Sequence, residues 1–176
     1  QNTFGVIMLA LVGTQPVVLS LKQILHHFID FRREIVIRRT EYDLKKAWEH
    51  CHILEGLKIA LDNLDAVIQL IKASPSPQEA RQQLMLHFNL SQVQAQSILD
   101  MRLQRLTALE QDKILKDLEE TRRAIKDLQD ILNSRERIKE EIRKELLELR
   151  EKYGDNRKTE IIEQTEELTR EDLIPD

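Results

Sequence analysis

Cysteine, glycine, proline and aromatic side chains are all scarce in this sequence, and each scarcity closes off a class of protein. Cys51 is the only cysteine, which excludes an internal disulfide and a cysteine-rich zinc site and fits a reducing compartment. With aromatics at 4% and only four Gly and four Pro among 176 residues, the composition argues against one compact globule. Long apolar runs are missing too. Phe4–Val12 spans nine residues, is interrupted by Gly5 and has no basic leader, so neither a transmembrane helix nor a signal peptide is expected. The chain starts on this strand-like run without an initiator Met, as a piece of a longer polypeptide would. It carries no Gly-rich nucleotide loop, no His-Glu-x-x-His motif and no paired-Cys motif.

What is present is charge laid over apolar periodicity. Charged residues make up 33% and apolar residues 41%, a combination that marks long helices rather than disorder. The net charge of -4 hides an asymmetry: residues 1–108 hold 12 basic and 10 acidic side chains, residues 109–176 hold 15 and 21. Neither half is a nucleic-acid surface by charge alone.

Phe4–Val12 and Val17–Ser20 flank Gly13-Thr14-Gln15-Pro16, which predicts a β-hairpin. Such a hairpin is marginal in water and must pack on something, and this chain has little to offer it. Ser20 is placed to cap a helix. Leu21, Ile24, Phe28, Phe31, Ile35, Arg38 and Tyr42 then read as a heptad seam with one polar break, Leu25, Ile29 and Val36 widen its apolar face, and no Gly or Pro intervenes before Gly56. The spacing predicts one helix of about 35 residues, roughly 50 Å long.

The middle of the chain changes character. Leu57, Leu61, Leu64, Val67, Ile68 and Ile71 form a helical face that Ser74-Pro75-Ser76-Pro77 stops. Pro77 is placed to start a short helix carrying Leu84, Met85 and Phe88. Ser91 with Gln94 reads as a capping box for a further helix. A second long helix follows from Thr107, a candidate N-cap, with Ile114, Leu118, Thr121, Ile125, Leu128 and Leu132 at alternating spacings of four and three. Arg135 breaks this seam, Ile138, Ile142, Leu146, Leu149 and Tyr153 carry it on, and Gly154 stops it. Lys158–Ile162 reads as a strand and the tail from Glu163 is acidic. The expected fold class is mainly α: a long antiparallel two-helix coiled coil with a small all-helical domain at its tip and short β segments at its base. A spectrin-like module and a parallel dimeric coiled coil are the alternatives, and the matched helix lengths favour the intramolecular hairpin.

Candidate chemistry is sparse. His26 and His27 point different ways on a helix, and His50 and His52 share no helical face, so the histidines read as packing or surface groups rather than metal ligands. Arg32, Arg33, Arg38 and Arg39 form the most basic stretch and are the candidate DNA-facing residues. Asp30, Glu34, Glu41 and Asp43 are interleaved with them, which favours a solvated arm paired with the acidic returning helix. Any DNA contact there would be to the phosphate backbone and indifferent to sequence.

Three segments are more specific. Val36-Ile37-Arg38-Arg39-Thr40-Glu41-Tyr42-Asp43-Leu44, His52-Ile53-Leu54-Glu55-Gly56-Leu57 and Gln94-Ala95-Gln96-Ser97-Ile98-Leu99-Asp100-Met101-Arg102-Leu103-Gln104-Arg105-Leu106-Thr107 resemble the A subunits of bacterial DNA gyrase. Tyr153–Ile161 fits the same pattern, and the A subunits of topoisomerase IV share the architecture. The resemblance covers essentially the whole chain.

It implies the C-terminal part of the breakage-reunion domain of a type IIA topoisomerase. Residues 1–20 would end a tower-like β region, 21–56 form the outgoing arm, 57–108 the globular exit-gate domain, 109–153 the returning arm and 154–176 a return strand and tail. Two copies would meet through the tip domain, with Ala95, Ile98, Leu99, Met101, Arg102, Leu103, Arg105 and Leu106 as candidate interface residues. The parent would pass one DNA duplex through another, using ATP and magnesium held by a partner B subunit in an A2B2 complex, in the bacterial cytoplasm at the nucleoid. The family's catalytic Tyr and assisting Arg lie before residue 1, so no catalytic, cofactor or metal residue is expected here, and Tyr42 and Tyr153 are read as packing. The chain alone is expected to be inactive. The A component of topoisomerase IV and a non-enzymatic coiled-coil or adaptor protein are the other functions considered.

Overall fold

Gly13 adopts φ 63°, a left-handed conformation that suits a residue without Cβ, and with Thr14 it closes a two-residue loop between β1 (Leu9–Val12) and β2 (Gln15–Val18). Glycine at the first loop position is the type II′ requirement, whose twist matches that of paired strands. The strands run antiparallel, with Leu9 opposite Val18 and Val12 opposite Gln15. The turn is therefore tighter than the expected Gly13-Thr14-Gln15-Pro16, because Gln15 and Pro16 belong to β2. Leu19 N–H donates to Met8 O at 2.9 Å and prolongs the pairing. The structure, a computed structural model, describes residues 5–101 and 108–159.

Ser20 caps helix α1 (Leu21–Asp62) in a reciprocal box with Gln23: Ser20 N–H donates to Gln23 Oε1 at 2.8 Å, and Gln23 N–H to Ser20 Oγ at 3.4 Å. At 42 residues α1 is about 63 Å long and passes straight through Gly56, the expected end of the arm. Gly56 serves close packing instead of termination. Asn63 ends the helix, its Nδ2 donating to Ile59 O at 2.9 Å.

The buried stripe of α1 also differs from the expected seam. Phe28, Phe31 and Tyr42 are exposed, and the chain's core uses Val36, Thr40, Cys51, Leu54, Leu57 and Ala60, with Leu44 and Ala47 partly buried between them. Counting heptads from Leu21 drifts onto Arg38 and Tyr42, whereas the real stripe interleaves Leu44, Leu54 and Leu57 with the small Thr40, Ala47, Cys51 and Ala60, whose hydrophobic signal is weak. Thr40 is tolerated there because its hydroxyl donates to Val36 O at 2.7 Å.

Against this stripe packs α5 (Ala108–Asn133), which buries Ile114, Leu118, Ile125 and Ile131. Val36 clusters with Ile131, Ile138 and Ile142, while further along α1 Glu55 meets Arg122 across the pair at 2.8 Å. Rising numbers on one helix meet falling numbers on the other, so the arms are antiparallel. The returning arm is two helices rather than one: α5 ends at Asn133 and α6 (Arg135–Tyr153) starts after Ser134. Ser134 Oγ accepts the Arg137 N–H at 3.4 Å, so a serine at this point caps a new helix. Arg137 bridges the break through Asp127 at 2.7 Å.

Between the arms lie α2 (Leu64–Ala73), α3 (Pro77–Phe88) and α4 (Gln92–Leu99), which share one core with the adjoining ends of α1 and α5. Ser76 caps α3 with Pro77 in its first turn, and Ser91 and Gln94 form the expected box at the start of α4. Asn89 closes α3 at φ 51°, a conformation asparagine tolerates better than most side chains. Leu84, with 0% exposure, sits at the centre.

The chain divides between Ile142 and Arg143 into two units. In the second, α6 runs to Tyr153, and Gly154 N–H donates to Arg150 O at 2.8 Å where the stop was expected. Lys158 and Thr159 form a bend, and the rest of the strand expected over residues 158–162 lies outside the described residues, as does the Thr107 cap. Among the described residues no helix is long and apolar enough to cross a membrane.

Candidate functional site

The most elaborate polar constellation joins α4 to the arm. Ser91 must cap α4, and Gln94, three residues on, turns its side chain back so that Oε1 accepts the Ser91 N–H at 2.9 Å. The same amide then reaches α1, where Nε2 donates to His52 O at 2.7 Å and lies 3.4 Å from His52 Nδ1. His52 Nε2 stands 2.7 Å from Ser91 Oγ. Gln94 is only 7% exposed, and the space it fills exists because residue 56 is glycine: an added Cβ would stand 2.6 Å from Gln94 Cγ.

A His–Ser contact of this length invites a nucleophile reading, which the surroundings oppose. Ser91 Oγ is occupied as the cap acceptor for the Gln94 N–H at 3.2 Å, and a neutral amide rather than a carboxylate faces His52 Nδ1. The constellation fastens two helices. Its Ser91–Gln94 half is visible in the sequence as a capping box; its other half, His52 and Gly56, carries only the sequence signals of a surface histidine and a helix stop.

The residues proposed for contact with a second copy divide sharply. Ala95 and Ile98, at 0% and 3% exposure, are consumed by this chain's own core and have no surface for a partner. Leu99 and Met101 are partly buried against that core, so each has only part of its side chain left for a second copy. Arg102, Leu103, Arg105 and Leu106 lie outside the described residues. Among its described residues the tip domain also exposes Leu86 at 78% and Val93 at 56%, which nothing in the sequence singles out.

The arm arginines are engaged. Arg33 pairs with Asp30 at 3.5 Å and Arg38 with Glu34 at 3.0 Å, both on α1 itself rather than on the returning helix, and Arg32 and Arg39 have partners as well. These exposed pairs are worth little in stability but neutralise part of the charge a phosphate would seek. Arg122 and Glu55 make the cross-arm contact beside Cys51. Burial, then the Glu55 carboxylate, push the Cys51 thiol above its ordinary range, against the opposing pull of Arg122. That is the environment of an inert thiol. Among the described residues no group of three or more His, Cys, Asp or Glu side chains is placed to hold a metal ion.

This arrangement of paired arms around a small helical domain can be set beside known proteins. The family profile for the A subunits of DNA gyrase and topoisomerase IV matches residues 1–147. The chain belongs to that family. It is 52% identical over 99% of its length to the DNA gyrase A subunit of Clostridium acetobutylicum and 49% identical over 100% to that of Leptospira biflexa. The DNA gyrase A subunit of Helicobacter pylori is 45% identical over 99% of the chain. In each case the chain spans 21% of the relative's length, so it corresponds to one region of a gyrase-type A subunit.

Proposed function

We propose that this chain is the exit-gate and dimerisation region of a type IIA topoisomerase, within its A subunit. The observation that carries the reading is architectural. Two antiparallel arms pack on each other through the clusters around Cys51 and Val36, and the small domain between them retains exposed Leu86 and Val93 and leads from Leu99 and Met101 to Leu103 and Leu106. Two copies meeting through these domains would bury that apolar surplus, in an isologous contact where each residue counts twice. The arms would then border a space that a transported duplex leaves through the opened contact. In the parent A2B2 enzyme, ATP and magnesium act on the B subunit, the cleaving Tyr lies outside this region, and the isolated chain neither cuts DNA nor hydrolyses ATP. Supercoiling as in gyrase is favoured over decatenation as in topoisomerase IV, because relatives of 45–52% identity are named as gyrase A subunits.

Sedimentation tests the contact. The wild-type chain is expected to be dimeric at tens of micromolar, and Leu103→Asp monomeric with unchanged helical circular dichroism, since burying an unpaired carboxylate costs several kcal/mol. A wild-type monomer, or a Leu103→Asp chain that remains dimeric, overturns the placement. Met101→Asp is a poorer probe because Met101 also packs on the chain's own core.

A further inference from the structure

The amide of Gln94 has only one workable orientation. Its oxygen faces the Ser91 N–H at 2.9 Å, and its nitrogen faces the His52 carbonyl at 2.7 Å. Turning it over would set N–H against N–H and oxygen against oxygen, so the network fixes the assignment. The amide nitrogen's second hydrogen is then directed at His52 Nδ1, which must accept, so the ring proton sits on Nε2 and is donated to Ser91 Oγ. Groups separated by about forty positions in sequence thus hold one geometry. Gln94, nearly buried against Gly56, is its centre.

What this geometry controls follows from the shape of α4. The helix is eight residues long, about 12 Å, and the fastening is at its N-terminal end. Its other end delivers Leu99 and Met101 and then residues 102–107. A tilt of about 10° at the fastening would move that far end by about 2 Å, enough to spoil a close-packed contact. Ala95 and Ile98 pack α4 into the core it shares with the arm, and hydrogen bonds from Arg81 to Gln96 at 3.2 Å and from Gln96 to Asp100 at 3.0 Å steady its middle. These contacts are apolar or stay off the arm, so among the described residues the directional bonds to the arm are those of Gln94 and its cap Ser91.

We infer that Gln94, locked between Gly56, Ser91 and a His52 ring protonated on Nε2, is a positioning residue for the contact between the two copies. It sets the tilt of α4 on the arm and so where the segment after Leu99 is presented to the second copy. This rests on the reading of the tip domain as the dimer contact.

The test compares wild type, Gln94→Met, His52→Gln and His52→Leu by sedimentation equilibrium, with circular dichroism on the same samples and nitrogen NMR of the wild-type imidazole. Gln94→Met keeps the volume against Gly56 and removes every hydrogen bond of the side chain, leaving the backbone cap to Ser91. It is expected to weaken self-association about tenfold or more while the chain stays fully helical, a change that lowered stability alone would not produce in a folded sample. His52→Gln retains a donor toward Ser91 and is expected to hold the dimer within about threefold, with His52→Leu weaker. The ring proton is expected on Nε2. If Gln94→Met does not fold, the two His52 variants and the ring tautomer decide. A ring proton on Nδ1, or Gln94→Met and His52→Leu dimers as tight as wild type, would sink this inference while leaving the contact standing; a monomeric wild type would sink both.

Discussion

Replacing Gly56 by alanine sets two opposite expectations against each other. In an exposed stretch of helix the change would stabilise the chain by about 1 kcal/mol, because alanine loses less backbone freedom. At position 56 the new methyl carbon would lie 2.6 Å from Gln94 Cγ, 2.7 Å from its Cβ and 3.1 Å from its Cδ, where ordinary contact needs nearly 4 Å. Two of those atoms belong to the part of the side chain nearest the α4 backbone, so rotating the amide away does not clear them. Helix α4 must shift by about 1 Å, at a strain of about 1–3 kcal/mol typical of overpacked cores. The Gln94 bonds to Ser91 and His52 would weaken, at about 1 kcal/mol for each one lost. Net destabilisation of about 2 kcal/mol is expected after the propensity gain, measured as a lower urea midpoint at unchanged slope. The difference between Lys58→Ala and Lys58→Gly, which both lose the Asp62 pair on the exposed face of the same helix, isolates the propensity term and is expected to be about 1 kcal/mol. A Gly56→Ala chain as stable as wild type, or more so, would refute the claim that glycine is there for the approach of Gln94.

Leu84→Ala, at the fully buried centre of the tip domain, is expected to cost about 2–5 kcal/mol in chemical unfolding. Arg122→Ala breaks an exposed ion pair and is expected to lower the unfolding midpoint only slightly, a difference that shrinks as salt is raised. The Cys51 thiol is raised in the folded state, so its contribution is intact below the ordinary thiol range and lost as pH rises through the folded value. Cys51→Ala should therefore lose less stability than wild type on passing above about pH 9, measured by parallel denaturation curves.

Much of this fold is legible in the sequence because its signals are local. Ser20, Ser76 with Pro77, and Ser91 with Gln94 announce helix starts through chemistry that acts within one turn, and the structure realises each of them. The α5 seam is legible too, since Ile114, Leu118 and Ile125 are large apolar residues at the right spacing and all three are buried. The matching stripe on α1 is not. Its contact positions include Thr40, Ala47 and Cys51, small side chains that let the arms approach, while the larger Phe28, Phe31 and Tyr42 lie outside it. Hydrophobic periodicity follows side-chain size, and here size and burial part company.

Gly56 and Ser134 mislead for a related reason. A glycine after a long helical pattern usually marks an end, but nothing local distinguishes that use from a notch for a side chain thirty-eight positions away. Ser134 shows the opposite case: the seam break at Arg135 marks the place, but a serine there does not by itself say that its hydroxyl will cap a new helix. The candidate contact is the least legible part because two demands overlap in the segment from Gln94 to Thr107. Ala95 and Ile98 satisfy the chain's own core, and Met101, Leu103 and Leu106 follow as apolar residues among charged and polar neighbours. Periodicity along one short helix cannot say which apolar residue faces inward and which faces a second copy. Only the packing of α3 and α1 against α4 separates them, and that packing turns on Gln94, a polar residue that no count of hydrophobic positions would select.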